Sequence, residues 1–427
     1  MQVDDTTLPE IYLYAFLFFV LYFLLYRKYI YSVVDPIFLY IAGLAFSSVL
    51  VINVLESEPV YIYHFFICHF FLFVGFSSIV NYLKRTRDTE KHLKLPVDFF
   101  DYYTVRLTVY ILFFIYVLAN IVLFYSTGFA LLNDDPTLAK VENFSKGYGI
   151  ILFINWGVGQ FLLPAVIFFI LYRPRAIDYT LLFFLIALTS LEGSKSALFR
   201  ILIVLFLWVN HPLFKHKKQI VKWIKLSAPI GIFASLLVSF IVLSKENGST
   251  EDAFFAFIKR LLYGADSILT FYLPVNEQYF SKFHFWEYPA HFFNQVLAFF
   301  RIVPNHEALG NIMVENAFPS RVGTIVGPNT PYYIEGQIYF GYYGAFIYSM
   351  LVGICYGLIR EYFFNNKSSS VFWLIFTCCI CQQAGALHAE VTFFFIQSFY
   401  SCFFVIPVYV VVSLAIHGRL KFRKVPS

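Results

Sequence analysis

Long apolar runs separated by short polar breaks dominate the chain. They fall at roughly 9–26, 33–53, 59–82, 105–125, 149–172, 178–193, 196–210, 227–244, 337–358, 371–388 and 392–415. A helix needs about 20 apolar residues to cross a bilayer. The pattern therefore predicts an all-α polytopic membrane protein with about 11 transmembrane helices, range 10–12. The range reflects the runs 178–193 and 196–210, which share so few residues that they read as a short hairpin or a re-entrant pair. Alternating ten-residue segments, the mark of a transmembrane β-barrel, do not occur.

One stretch breaks the pattern. Residues 245–336 contain no clean apolar span, and they divide the chain into three parts. Residues 1–244 form an N-terminal bundle of about eight spans, 245–336 a large loop, and 337–427 about three spans followed by a basic tail. Within the loop, Glu251–Tyr263 and Tyr288–Val303 place Phe, Leu and Val at helical spacing. Such amphipathic helices lie in the membrane interface, so the loop reads as a lid on the bilayer rather than a separate soluble domain.

Composition sharpens this picture. The 427 residues are 59% hydrophobic and 13% charged, about half the charged fraction of a soluble domain. The net charge of +5 is small and its cations sit in short loops, so no nucleic-acid partner is expected. The cations do set a direction. Arg27 and Lys28, the Lys84–Lys94 cluster, Arg173 and Arg175, the Lys215–Lys225 cluster, Arg360, Lys367 and Arg419–Lys424 fall in alternate loops. The short loops of the alternate set carry little beyond Lys140 and Lys146. The positive-inside rule then puts the N-terminus and large loop outside and the C-terminus in the cytoplasm. The first apolar run lacks the basic start and small-residue cleavage site of a removable signal peptide. All six cysteines lie in apolar runs, and even the Cys378–Cys381 group reads as small buried hydrophobes rather than metal ligands.

Four constellations on the expected outer side carry candidate chemistry. The turn Leu191–Ser196 holds Glu192 and Lys195, with Arg200 one turn deeper. Charges at that depth are either paired locally or functional. Arg260, Arg301 and Arg321 of the loop suit phosphate recognition, or a solvated face near anionic headgroups. The loop ends at Pro328–Gly344, where Pro328 and Pro331 give an extended lead-in and Glu335 falls in the first turn of the next helix. There a carboxylate favours the helix dipole or acts as a base. Gly341 and Gly344 read as helix-packing positions. The turn His388-Ala389-Glu390 offers a second carboxylate and an imidazole, with Gln382 and Gln383 deeper. Phosphate-loop and zinc-protease motifs and an outer Asp-x-Asp are missing, so neither ATP hydrolysis nor metal-dependent transfer is expected.

In layout the chain resembles the bacterial oligosaccharide repeat-unit polymerases, the Wzy-type O-antigen polymerases. The resemblance rests on the hairpin around Gly193-Ser194-Lys195-Ser196, on the large loop, and on the Pro/Gly-rich loop end running into Glu335-Gly336 and Gly341-x-x-Gly344. Lys195 stands where the family often has Arg. The resemblance implies a GT-C-like fold in a bacterial inner membrane. It implies undecaprenyl-diphosphate-linked oligosaccharide as donor and acceptor, membrane lipids as surroundings, and a chain-length-determining co-polymerase as a further partner. No metal or other cofactor is implied. Lys195, Arg200, Arg260, Arg301 and Arg321 would bind the diphosphate, since a leaving group that gains negative charge needs cations. Glu335 or Glu390 would be the base, with His388 as the third candidate. Asn329, Tyr332, Tyr333 and Tyr339 would contact glycan. An O-antigen ligase, which uses the same donor, is the nearest alternative, because Asn305-His306 and the Glu335–Gly344 run are also similar to that family. A flippase is the alternative from another class; it would show internal repeats and mid-membrane charges, and none are evident.

Overall fold

The computed structural model describes residues 8–31, 35–87, 99–129, 149–191, 197–215, 267–321, 327–365 and 368–423, with isolated positions 222, 229, 233 and 237. Among these residues all regular structure is helical. In chain order the helices are α1 (Leu8–Tyr26), α2 (Pro36–Val54), α3 (Pro59–Arg87), α4 (Phe99–Thr127), α5 (Gly149–Tyr172), α6 (Ala176–Leu191), α7 (Ala197–Asn210) and α8 (Pro212–Lys215). After the expected loop begins come α9 (Ser267–Phe271), α10 (Pro274–Phe280), α11 (Glu287–Phe299) and α12 (Leu309–Ala317). The last three are α13 (Tyr332–Phe364), α14 (Val371–Gln383) and α15 (Val391–Arg423).

Seven of these, α1 to α5, α13 and α15, are long and apolar enough to cross a membrane. That is the make-up of a polytopic membrane protein. Three further expected runs form shorter helices among the described residues. α6, α7 and α14 have 16, 14 and 13 residues, below a full crossing. Apart from the isolated positions 229, 233 and 237, the expected span 227–244 lies outside the described residues, as does the amphipathic stretch Glu251–Tyr263.

The chain gathers into two compact units. The first comprises Met1–Glu90, Phe257–Glu361 and Ala384–Ile396. The second comprises Lys91–Ala256, Tyr362–Gln383 and Gln397–Ser427.

In the second unit α5 is the central helix, packed by α4, α6, α7 and α14. It is apolar on all sides, as a helix surrounded by others must be. Polar groups here meet in pairs. Arg106 bonds Asp178, which also caps the start of α6 by accepting from Arg175 N at 2.8 Å. The Arg106 guanidinium lies 4.8 Å from the Phe169 ring. Gln382 donates to Gln160 at 3.1 Å, and Gln383 donates to Ser401 at 2.9 Å. Cys378, Cys379 and Cys381 are buried free thiols.

In the first unit α1 packs on α2, and α2 on α3. The start of α2 is set by Asp35, whose carboxylate accepts from Ile37 N at 3.0 Å, with Pro36 at the first helical position. The same carboxylate takes Arg360 Nη2 at 2.7 Å, and Arg360 also donates to the Tyr29 carbonyl at 2.6 Å. One ion pair thus ties the far end of α13 to the α1–α2 connection.

α3 and α13 cross closely. A Cβ on Gly75 would lie 2.1 Å from the Met350 carbonyl oxygen, and one on Gly353 would lie 2.1 Å from that of Leu72. These are the small-residue packing positions. Gly341 acts differently. It is non-helical, with φ 71° and ψ −178°, and it breaks α13 into two segments. This backbone region is essentially reserved for glycine. Just past the break, His64 Nε2 donates to the Tyr342 carbonyl at 3.2 Å. Gly341→Ala is expected to cost about 1–3 kcal/mol, read as a fall in thermal unfolding temperature in detergent. Gly43→Ala, on α2 with open space around it, is the control and should be neutral or slightly stabilising.

Candidate active site

The described part of the loop is not an independent body. Buried Asn276 donates to the carbonyls of Thr270 (2.8 Å) and Met313 (2.9 Å), joining α9, α10 and α12. Tyr61 of α3 stacks on Tyr272 at 4.2 Å and its hydroxyl bonds Glu277. Tyr272 in turn donates to Gln337 of α13 at 3.1 Å. The segment is therefore held against the spanning helices by aromatic and polar contacts together.

α11 forms one wall of the site. Tyr288 and His291, three residues apart, share one helix face. The Tyr288 hydroxyl is 2.7 Å from that of Tyr348, and the His291 ring centroid is 5.6 Å from that of Tyr339. The turn after α11 is pinned by buried Asn294, which donates to the Pro304 carbonyl (3.0 Å) and accepts from His306 N (2.8 Å). That clamp places His306 beside His291. A pocket lies there, lined by His291, Gln295, His306, Glu307, Glu390 and Thr392. Its cavity volume, about 10 Å³, is close to the minimum that holds one water.

Glu390 sits in the turn that precedes α15. Its backbone N–H donates to the Ala386 carbonyl at 2.8 Å, and its carboxylate accepts from the Thr392 hydroxyl at 3.3 Å. Burial pushes its pKa up to about 7. Burial, then the nearby His306, lowers His291 to about 4, so that imidazole is neutral at pH 7. Glu335 lies in the first turn of α13, 1% exposed, near enough to Glu390 for the two carboxylates to interact. Tyr348 and the Val391 amide are its nearest polar groups, yet neither carboxylate oxygen has a hydrogen bond of normal geometry. A buried carboxyl so placed is costly as an anion.

The expected site residues separate into groups. Glu335 and Glu390 come together. His388, two residues before Glu390, turns instead toward an apolar cavity with Tyr40, Leu72, Val352 and Tyr356. Its ring lies 4.9 Å from Tyr40, and burial lowers its pKa to about 4. Tyr332, Tyr333 and Tyr339, expected to touch glycan, are core residues with at most 3% exposure. The Tyr332 hydroxyl bonds His69 Nδ1, which also bonds Tyr40 at 2.8 Å. The reason is that α13 begins at Tyr332, and its opening turns pack inward against α2 and α3. Asn329 is exposed. Gly344, read as a packing position, meets only Phe340 of its own helix.

Of the expected cations, Lys195 and Arg260 lie outside the described residues, as does the side chain of Arg321. Arg200 falls in the first turn of α7, in the second unit. Arg301 is exposed and has a backbone role. Its N–H donates to Ala298 O at 2.9 Å, and Ile302 N donates to Leu297 O at 2.9 Å, with Arg301 at φ 58°. This is a Schellman C-cap, whose left-handed residue is usually glycine. Arg301→Gly should leave thermal stability unchanged or raise it by up to about 1 kcal/mol, so it removes the cation without loosening the turn.

The sequence reading missed His291, Asn294, Tyr288 and His306. A signal was present: His291, Asn294 and Gln295 are polar at i, i+3 and i+4 in a Phe-rich helix, a stripe that marks a second, polar face. Compared with family models, curated proteins and solved structures, the chain matches none.

Proposed function

We propose that the protein is a membrane glycosyltransferase that joins lipid-diphosphate-linked oligosaccharide repeat units into a longer glycan. The observation that carries this reading is Glu390, a carboxylate tuned by burial to about neutral pH, in a pocket it shares with His291, Gln295 and Thr392. A general base works best when its pKa lies near the working pH. In the proposed reaction Glu390 takes the proton of an acceptor sugar hydroxyl. That oxygen attacks the anomeric carbon of the donor, and the bond from this carbon to the lipid diphosphate breaks, its electron pair leaving with the diphosphate. Glu335 lies buried nearby, in the first turn of α13. His291, Gln295 and Thr392 offer the neutral donors and acceptors that sugar hydroxyls need.

The diphosphate is assigned to cations of the large loop, Arg260, Arg301 and Arg321. The resemblance to Wzy-type polymerases supplies the donor class, and the cations of the short inter-helix loops supply the expected sidedness, with this site on the outer face of a bacterial inner membrane. Deleting the gene from its host tests the reading. Polymerase loss should leave surface lipid capped with a single repeat unit. Complete loss of surface glycan would point to the ligase, and unchanged ladders would refute both.

A further inference from the structure

The face of α11 turned away from the pocket carries large exposed aromatics. Trp286, Phe293 and Phe300 are 60%, 45% and 48% exposed and stand seven residues apart. Seven residues are almost two helical turns, so the three form one stripe. Tyr288, His291, Phe292 and Gln295 occupy the opposite side, toward α13 and the pocket. A stripe of this size left in water would be an aggregation liability.

The covering medium is indicated by what the stripe adjoins. Phe293 and Phe292 pack on Phe395, with ring centroids 5.5 and 4.3 Å apart. Phe395 belongs to the opening turns of α15, a helix built to cross a membrane, and Phe393 of the same turns is itself exposed. The apolar outer surface of that span thus continues onto α11 at the level where the span begins. α11, with 13 residues, is too short to cross. Cations flank the stripe in sequence: exposed Lys282 precedes it, and exposed Arg301 follows it beside exposed Ile302. That distribution complements anionic lipid headgroups.

We propose that α11 is seated in the bilayer interface with Trp286, Phe293 and Phe300 among the lipid chains, so that the pocket on its other face opens at headgroup depth. An amphiphile with its polar head at that depth reaches Glu390 without leaving the membrane. The seating of α11 does not depend on the chemistry assigned to the pocket.

The test uses the full-length protein in lipid nanodiscs, with Cys355 and Cys402 replaced by Ala and the remaining buried thiols kept. A fluorophore is attached at Phe293→Cys and, separately, at Phe300→Cys; Glu307→Cys, on the exposed rim, is the aqueous reference. Phospholipids with a spin label on a shallow acyl carbon should quench the 293 and 300 probes several-fold more than the reference. Iodide in the water should do the reverse. Iodide quenching of both stripe positions to the level of the reference would overturn the proposal. Shielding of both from either quencher, the sign of a protein partner over the stripe, would overturn it as well. The measurement needs no substrate, so it stands or falls separately from the proposed reaction.

Discussion

Glu390→Gln is expected to lower the glycan-joining rate by about 10²–10⁴-fold, the usual contribution of a positioned general base. The amide keeps the shape of the side chain and its bond to Thr392 while removing the basic electron pair. The wild-type rate should rise with pH as the carboxyl loses its proton, half-maximal near the value of about 7 set by burial. In the Gln variant that limb should vanish. Stability should move the opposite way. The folded pKa is raised above the ordinary 4.5, so the stabilising contribution of the neutral carboxyl is complete below about 4.5 and is lost as pH rises through about 7. The unfolding temperature of the Gln variant should therefore gain on wild type across that window. A Gln variant that remains as active as wild type would remove Glu390 from the chemistry.

Arg360→Met should destabilise the protein by about 3–5 kcal/mol, because it strands two buried carboxylates. Arg360 and Asp35 are almost fully buried, and Glu361 lies 3.4 Å from the same guanidinium. Asp35 also caps α2, so the loss should spread to the α1–α2 connection. Pairing Arg360→Met with Asp35→Asn should recover much of the loss, since Asn keeps the capping oxygen and discards the unpaired charge. Thermal unfolding in detergent checks both. Equal damage in the single and double variants would mean that the pair contributes packing rather than charge compensation.

The sequence disclosed the architecture where a single physical rule decided it. α5 runs from Gly149 to Tyr172, as the apolar run predicts, because no charged residue interrupts it and no tertiary choice was needed. The rule decides less for α6, α7 and α14, whose helices of 16, 14 and 13 residues are shorter than a full crossing. Gly341 illustrates a different limit. A glycine in an apolar run reads as a packing site, and only the backbone angles reveal a break.

The site was legible in part. Glu335 and Glu390 were chosen from turns about 55 residues apart in sequence, and the fold brings them within electrostatic reach. Their environments could not be read from one sequence, because burial depends on what α11 and α13 place around them. His388 shows this most clearly: it is two residues from Glu390 yet faces Tyr40 across an apolar cavity. The resemblance implies glycan contacts for the tyrosines at the start of α13, whereas hydrogen bonding to His69 turns Tyr332 into the core.

The central claim is that Glu390 and its pocket join lipid-linked glycan units. The most direct measurement uses purified protein in lipid vesicles, supplied with repeat units linked to a lipid diphosphate and followed by product length across pH. A ladder of lengthening glycan with release of lipid diphosphate, rising through about pH 7 in wild type and lost in Glu390→Gln, is the predicted result. Wild-type protein that is folded and loaded with substrate, yet releases no lipid diphosphate at any pH, would contradict it.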